Sequence, residues 1–279
     1  MTGAAARART ARQILAVQTL EIRKRFLGKR AIPVYLLALI PLFMFTARFV
    51  AAQVFHWDVE ASVAQDRVLY AGLFRTLILR FVVYFGCVFV FVPLFRGDIL
   101  DRSLHYYFLV PMKRQTLTVA KYLSGLSAAL FLFNAVTLAT WTLMYLTLGT
   151  QALFERLSSG RGLLEIGGYL LVTSLACVGY GAVFLAAGVF FKNPIVPAVV
   201  ILGWESINAF LPPVLKKISV IHYLESLCPV SIPPDSGIAI LADPASPWVA
   251  IPGIVVVAAI LVTLAAQRVR RLDILYGVE

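Results

Sequence analysis

Charge is scarce in this chain, and acid is the scarcer sign. Only 14% of the 279 residues are Asp, Glu, Lys or Arg, whereas a soluble domain carries about 25%. Acids number 14 in total. With 60% hydrophobic residues and a mean hydropathy of +0.86, water is not the main solvent of this protein. Cysteine is nearly absent: Cys87, Cys177 and Cys228 have no paired spacing. They read as small buried hydrophobes and exclude a disulfide framework or a cysteine metal site. His56, His105 and His222 stand singly, with no H-E-x-x-H arrangement, so no metal ligand set is assigned. No G-x-S-x-G elbow occurs to present a serine nucleophile. A phosphate-binding loop requires G-x-x-x-x-G-K-[ST]. The one Gly-Lys pair, Gly28-Lys29, is followed by Arg30 and has Arg23 where the first glycine belongs. No catalytic, cofactor-binding or metal residues are assigned, and the chain reads as a non-enzyme.

What the chain has instead is long apolar runs. Windows of about twenty residues with almost no charge match the length a helix needs to cross roughly 30 Å of hydrocarbon. A transmembrane barrel would show short segments of alternating polarity. The reading is an all-α polytopic membrane protein with spans at about 32–54, 77–95, 123–148, 167–191, 195–212 and 248–266. Residues 1–31 form a basic tail and interfacial helix, and 32–279 the six-span domain. The longest non-spanning stretches, about 55–76, 96–122 and 213–247, are each too short to bury a core of their own.

The formal charge of +11 does not point to nucleic acid, because the cations cluster at span ends. Lysine and arginine on the cytoplasmic side fix direction. Eight lie ahead of the first span (Arg7, Arg9, Arg12, Arg23, Lys24, Arg25, Lys29, Arg30). Arg96, Arg102, Lys113, Arg114 and Lys121 follow the second, Lys192 the fourth, and Arg268, Arg270 and Arg271 the last. Those seventeen share one face if there are six spans; the other face holds six, Arg67, Arg75, Arg156, Arg161, Lys216 and Lys217. Both termini are therefore expected in the cytoplasm. Ahead of the first span, Ala11, Leu15, Ile22 and Phe26 recur at helical spacing beside Arg12, Arg23 and Arg30. That pattern suits a helix lying in the interface from about residue 11, with residues 1–10 expected to be disordered.

Three ionisable groups fall within or near spans, where charge is costly and functional by default. Arg48 and Arg80 lie towards the outer helix ends, where snorkelling to headgroups accounts for them. Glu205 sits near the middle of the fifth span, one turn from Asn208. Three readings are open for it: an arginine partner, a polar substrate path with Asn208, or the mark of a broken helix. Ser174, Gly181 and Gly188 recur every seven residues on the fourth span, with Cys177 on the same side. They form a seam for close helix approach, within the subunit or against a second copy.

The junction after the second span concentrates the remaining polarity: "GDILDRSLHYYFLVPMKRQTLTVAKYLSG", residues 97–125. Ile99, Leu100, Ser103, Leu104 and Tyr107 can line one side of a short helix, with Asp98, Asp101, Arg102 and His105 as polar contacts. Pro111 stops that helix, and Lys113 and Arg114 lead into the third span through Lys121. This segment resembles the coupling-helix region of type 2 ABC transporter permeases. That family shows an acidic start, a small hydroxyl or glycine, a leucine-rich stretch, Pro-x-x-Arg, an apolar pair, then Lys before the next span. Asp98, Pro111, Arg114 and Lys121 occupy those places, Asp98 standing where glutamate is common. The overall layout matches as well: a basic interfacial start, six spans, termini inside, and an outer segment at about 213–247.

The resemblance implies the transmembrane subunit of an ABC exporter in the cell (inner) membrane, paired with a second copy or a related permease. Separate cytoplasmic ATPase subunits would bind ATP and Mg and dock on segment 97–110. Asp98, Asp101 and Arg102 would serve as polar contacts there, with Leu104 and Tyr107 filling a groove on the partner. The outer segment 213–247 would form short re-entrant or interfacial helices. Two other classes stay open from sequence, an ion- or proton-driven secondary transporter and a non-transporting membrane scaffold.

Overall fold

A computed structural model describes residues 3–26, 28–54, 63–109, 112–210, 212–216, 219–230 and 245–271. Its ordered elements are all helices among the described residues. In chain order they are α1 (Gly3–Phe26), α2 (Ile32–Val54) and α3 (Val63–Leu100). The short α4 (Leu104–Leu109) leads to α5 (Arg114–Leu146), and α6 (Thr150–Ser158) leads to α7 (Arg161–Phe190). There follow α8 (Ile195–Ser206), α9 (Pro213–Lys216), α10 (Val220–Ser226) and α11 (Pro247–Arg270).

Five helices, α2, α3, α5, α7 and α11, are long and apolar enough to cross a membrane. The sixth expected span, 195–212, takes a different form. Its apolar helix α8 has 12 residues, about 18 Å of rise, and gives way to a 3-10 turn over Ile207–Phe210. Polar Glu205, Ser206 and Asn208 interrupt the apolar run there, and Pro212 follows. α2 coincides with its expected span of 32–54, whereas the other four start ahead of theirs, α3 at Val63 and α5 at Arg114. A hydropathy window measures hydrocarbon thickness, whereas hydrogen bonding carries a helix on into polar turns. The same propagation makes α1 helical from Gly3, where disorder was expected.

Burial places α7 at the centre. Its apolar window is 72% buried, against 22% for α2 and 28% for α11, so the latter two lie at the edge of the bundle. Small residues explain how α7 is approached so closely. A Cβ on Gly188 would lie 2.7 Å from the Val92 carbonyl, and one on Gly181 would lie 2.5 Å from the Phe91 ring. The small-residue seam is thus filled by α3 of the same chain, and Ser174 accepts a hydrogen bond from the Asn134 side chain of α5 at 3.0 Å. Cys87 and Cys177 are buried and unoxidised in this packing.

One stretch of α3, Phe74–Val83, winds as a π-helix, whose hydrogen bonds span five residues. The wider winding turns positions five apart towards a common side. Arg75 and Arg80 both reach the segment beyond α9: Arg75 donates to the Val230 carbonyl at 2.7 Å, and Arg80 pairs with Glu225 at 2.6 Å. Arg48 pairs with Asp66 at 2.6 Å. Each arginine read as snorkelling therefore has a carboxylate partner within the chain.

Candidate functional site

At the start of α5 a polar cluster joins three helices. Lys121 is fully buried on α5, Asp98 fully buried on α3, and Glu21 is 1% exposed on α1. A lysine ammonium has three N–H groups to satisfy. Those of Lys121 reach Glu21 Oε1 at 2.5 Å, the Leu94 carbonyl at 2.9 Å and Asp98 Oδ2. Asp98 Oδ1 accepts from Lys24 at 2.9 Å, and Glu21 Oε1 also accepts the Tyr107 hydroxyl at 2.8 Å. The Tyr107 ring lies 4.4 Å from the ammonium, close enough for cation–π attraction. Two carboxylates thus face two ammonium groups, the buried one of Lys121 and the partly exposed one of Lys24, so the formal charge of the cluster balances. Such a cluster repays its desolvation only when each partner is bonded, and here each is.

The turn after Asp98 is built with equal economy. Ser103 N–H bonds the Asp98 carbonyl at 2.9 Å and Arg102 N–H the Ile99 carbonyl at 3.2 Å. This pair of bonds is a Schellman motif closing α3, with the left-handed position taken by Arg102 at φ 54°. The position usually goes to glycine. The motif reverses the chain so that α4 folds back over the cluster, with Leu104 fully buried. What remains outward is Leu100 (67% exposed), Tyr106 (64%) and Leu109 (78%), together with the exposed Asp101 and Arg102.

The expected docking residues therefore divide. Asp101 and Arg102 are on the surface; Asp98 and Leu104 are enclosed by this chain, and half-buried Tyr107 is engaged with Glu21. Helical spacing had offered Leu104 and Tyr107 to a partner as one side of a short helix, but Leu104 is fully buried and Tyr107 bonds Glu21 of α1. Arg114 donates to the Arg270 carbonyl at 3.4 Å, holding the end of α11. Pro111 lies outside the described residues. Glu205 is 5% exposed and accepts the hydroxyl of Tyr180 on α7 at 2.5 Å, where an arginine partner was one expectation, and α8 breaks into the 3-10 turn just after it. The Asn208 side chain lies outside the described ones. Glu21 was not singled out from sequence, although it is the only acidic residue before Asp58.

A second cluster lies at the other end of α5. Lys121 and Tyr145 are separated by about 36 Å of helical rise, and Tyr145 donates to Glu165 Oε1 at 3.0 Å. Glu165 Oε2 accepts from Arg67 at 3.0 Å and from Arg156 at 2.6 Å. Near this end, burial pushes the Cys228 thiol up to about 11, with Arg75 opposing the shift. Comparison with family models, with curated proteins and with solved structures returns no match.

Proposed function

We propose that this chain is the permease subunit of an ATP-driven ABC exporter, forming a substrate path with a second permease and driven by a separate cytoplasmic ATPase. One observation carries the reading. Asp98 and Lys121, two separated positions of the permease-like motif, form one buried ion pair. That pair ties the turn bearing Leu100, Asp101, Arg102, Tyr106 and Leu109 to α1, α3 and α5 together. A force applied to the turn reaches three helices through bonded charge, which is what a coupling element requires. An ABC motor in a partner subunit accounts for a chain with no phosphate-binding loop.

In this reading α8 and its 3-10 turn make the fifth of six passes, both termini are cytoplasmic, and Glu205 borders the path. The outward side chains of α4 and its preceding turn form the docking surface. The test is purification of the tagged chain from its native membranes under mild detergent. An associated ATPase whose hydrolysis responds to the permease is expected; a chain that purifies alone and transports without ATP overturns the reading.

A further inference from the structure

The cluster around Glu165 borders a cleft of about 300 Å³ lined by Arg67, Arg156, Arg161, Leu164, Glu165 and Pro229. Two guanidinium groups, of Arg67 and Arg156, meet one carboxylate there, and Arg161 adds a third cation to the lining. Both oxygens of that carboxylate are already occupied, by Tyr145 on one side and by Arg67 and Arg156 on the other. Arg161 is exposed and has no ion-pair partner among the described residues, and the buried Nε of Arg156 has no hydrogen-bond partner. The lining thus holds an excess of two positive charges, one of them on the exposed Arg161. Guanidinium groups match phosphate oxygens in geometry and charge. The long helix α7 also begins at this wall, adding unpaired amides and the positive end of its dipole.

The cleft is closely built. A Cβ on Gly162 would lie 2.8 Å from the Arg156 carbonyl, so glycine is what lets α6 press its arginine against the first turn of α7. The lining also turns an apolar side chain outward, since Leu164 is 79% exposed. Guanidinium groups beside an exposed leucine, at the end of a helix long enough to span a membrane, suit an amphiphile. A phosphate would enter the cleft while acyl chains follow Leu164.

We propose that this cleft binds the phosphate of an anionic lipid headgroup. The inference needs only a membrane-embedded chain and is independent of the transport reading. Native mass spectrometry on the full-length detergent-purified protein tests it, with dioleoylphosphatidylglycerol, phosphate-free dioleoylglycerol and inorganic phosphate as probes. Wild type should retain phosphatidylglycerol in preference to diacylglycerol. Arg161→Gln should weaken that binding about tenfold, the loss of one charge-assisted hydrogen bond, while Arg270→Gln at the opposite end should not. Arg156→Gln should act like Arg161→Gln; if losing the Glu165 contact unfolds it, the exposed Arg161 variant still decides. Equal retention of diacylglycerol, or wild-type affinity in Arg161→Gln, overturns the proposal. Inorganic phosphate binding with no preference for the lipid overturns the lipid source and leaves an anion cleft open to water.

Discussion

Lys121 and Asp98 stand 23 positions apart in sequence and form an ion pair in which neither side chain is exposed. Removing one member of such a pair leaves an uncompensated buried charge, at a cost of about 3–5 kcal/mol. Lys121→Met strands Asp98 and Glu21 with Lys24 as their remaining cation in the cluster, and should sharply lower the unfolding temperature in detergent. Adding Glu21→Gln removes one of the two stranded charges and should recover part of the loss. Thermal unfolding of the two single variants and the double variant checks this. Simple additivity of the two losses would contradict the cluster.

The pair also shows where sequence stops being informative. Spans were legible because apolar runs of sufficient length have few alternatives to a membrane helix. Their ends were not, because polar turns such as the one bearing Asp66 and Arg67 continue α3 without leaving an apolar trace. Asp98 and Lys121 were both conspicuous, yet their partnership depends on how α3 crosses α5, which spacing along one chain does not encode. Tyr106 and Tyr107 differ by a single register step. Which of them turns inward is settled by Glu21 of α1 and Lys121 of α5, which hold Tyr107.

Arg102 in the left-handed position carries a backbone cost of roughly 1 kcal/mol that glycine would not. Arg102→Gly should therefore raise the unfolding temperature slightly, since the backbone bonds of the Schellman turn do not use the arginine side chain. A lower unfolding temperature would mean that the guanidinium holds the turn.

Glu205 and Tyr180 give a contrast of a different kind. In Glu205→Gln the amide oxygen can still accept the tyrosine hydroxyl. In Tyr180→Phe the buried carboxylate loses that donor, a penalty of about 1–3 kcal/mol. Tyr180→Phe should thus be the less stable variant by thermal unfolding. Glu205→Gln should keep its fold; if the chain forms a transport path, this variant should lose cargo-stimulated turnover through its missing charge, and full turnover would remove Glu205 from the proposed path.

Orientation is checked with single cysteines in a background lacking Cys87, Cys177 and Cys228. Ser159→Cys and Ser246→Cys, both exposed, should react with an impermeant maleimide added to intact cells. Thr10→Cys and Gly277→Cys should react only after the membrane is opened. Labelling of the terminal positions in intact cells would reverse the assignment.

The adjacent tyrosines separate docking from folding. Tyr106 is 64% exposed, whereas Tyr107 bonds Glu21 at 2.8 Å and lies against the Lys121 ammonium. If the outward side of α4 meets an ATPase, Tyr106 becomes buried only in that complex, and truncating such an aromatic costs about 2 kcal/mol or more of binding. Tyr106→Ala should then leave insertion and thermal stability unchanged while the ATPase is lost on purification or hydrolyses ATP without export. Tyr107→Ala should lower the stability of the isolated chain first, through Glu21 and Lys121, with weaker docking as a consequence. Adding Leu109→Ala to Tyr106→Ala should deepen the docking defect without touching stability. Wild-type copurification and export by that double variant would remove α4 as the point of contact.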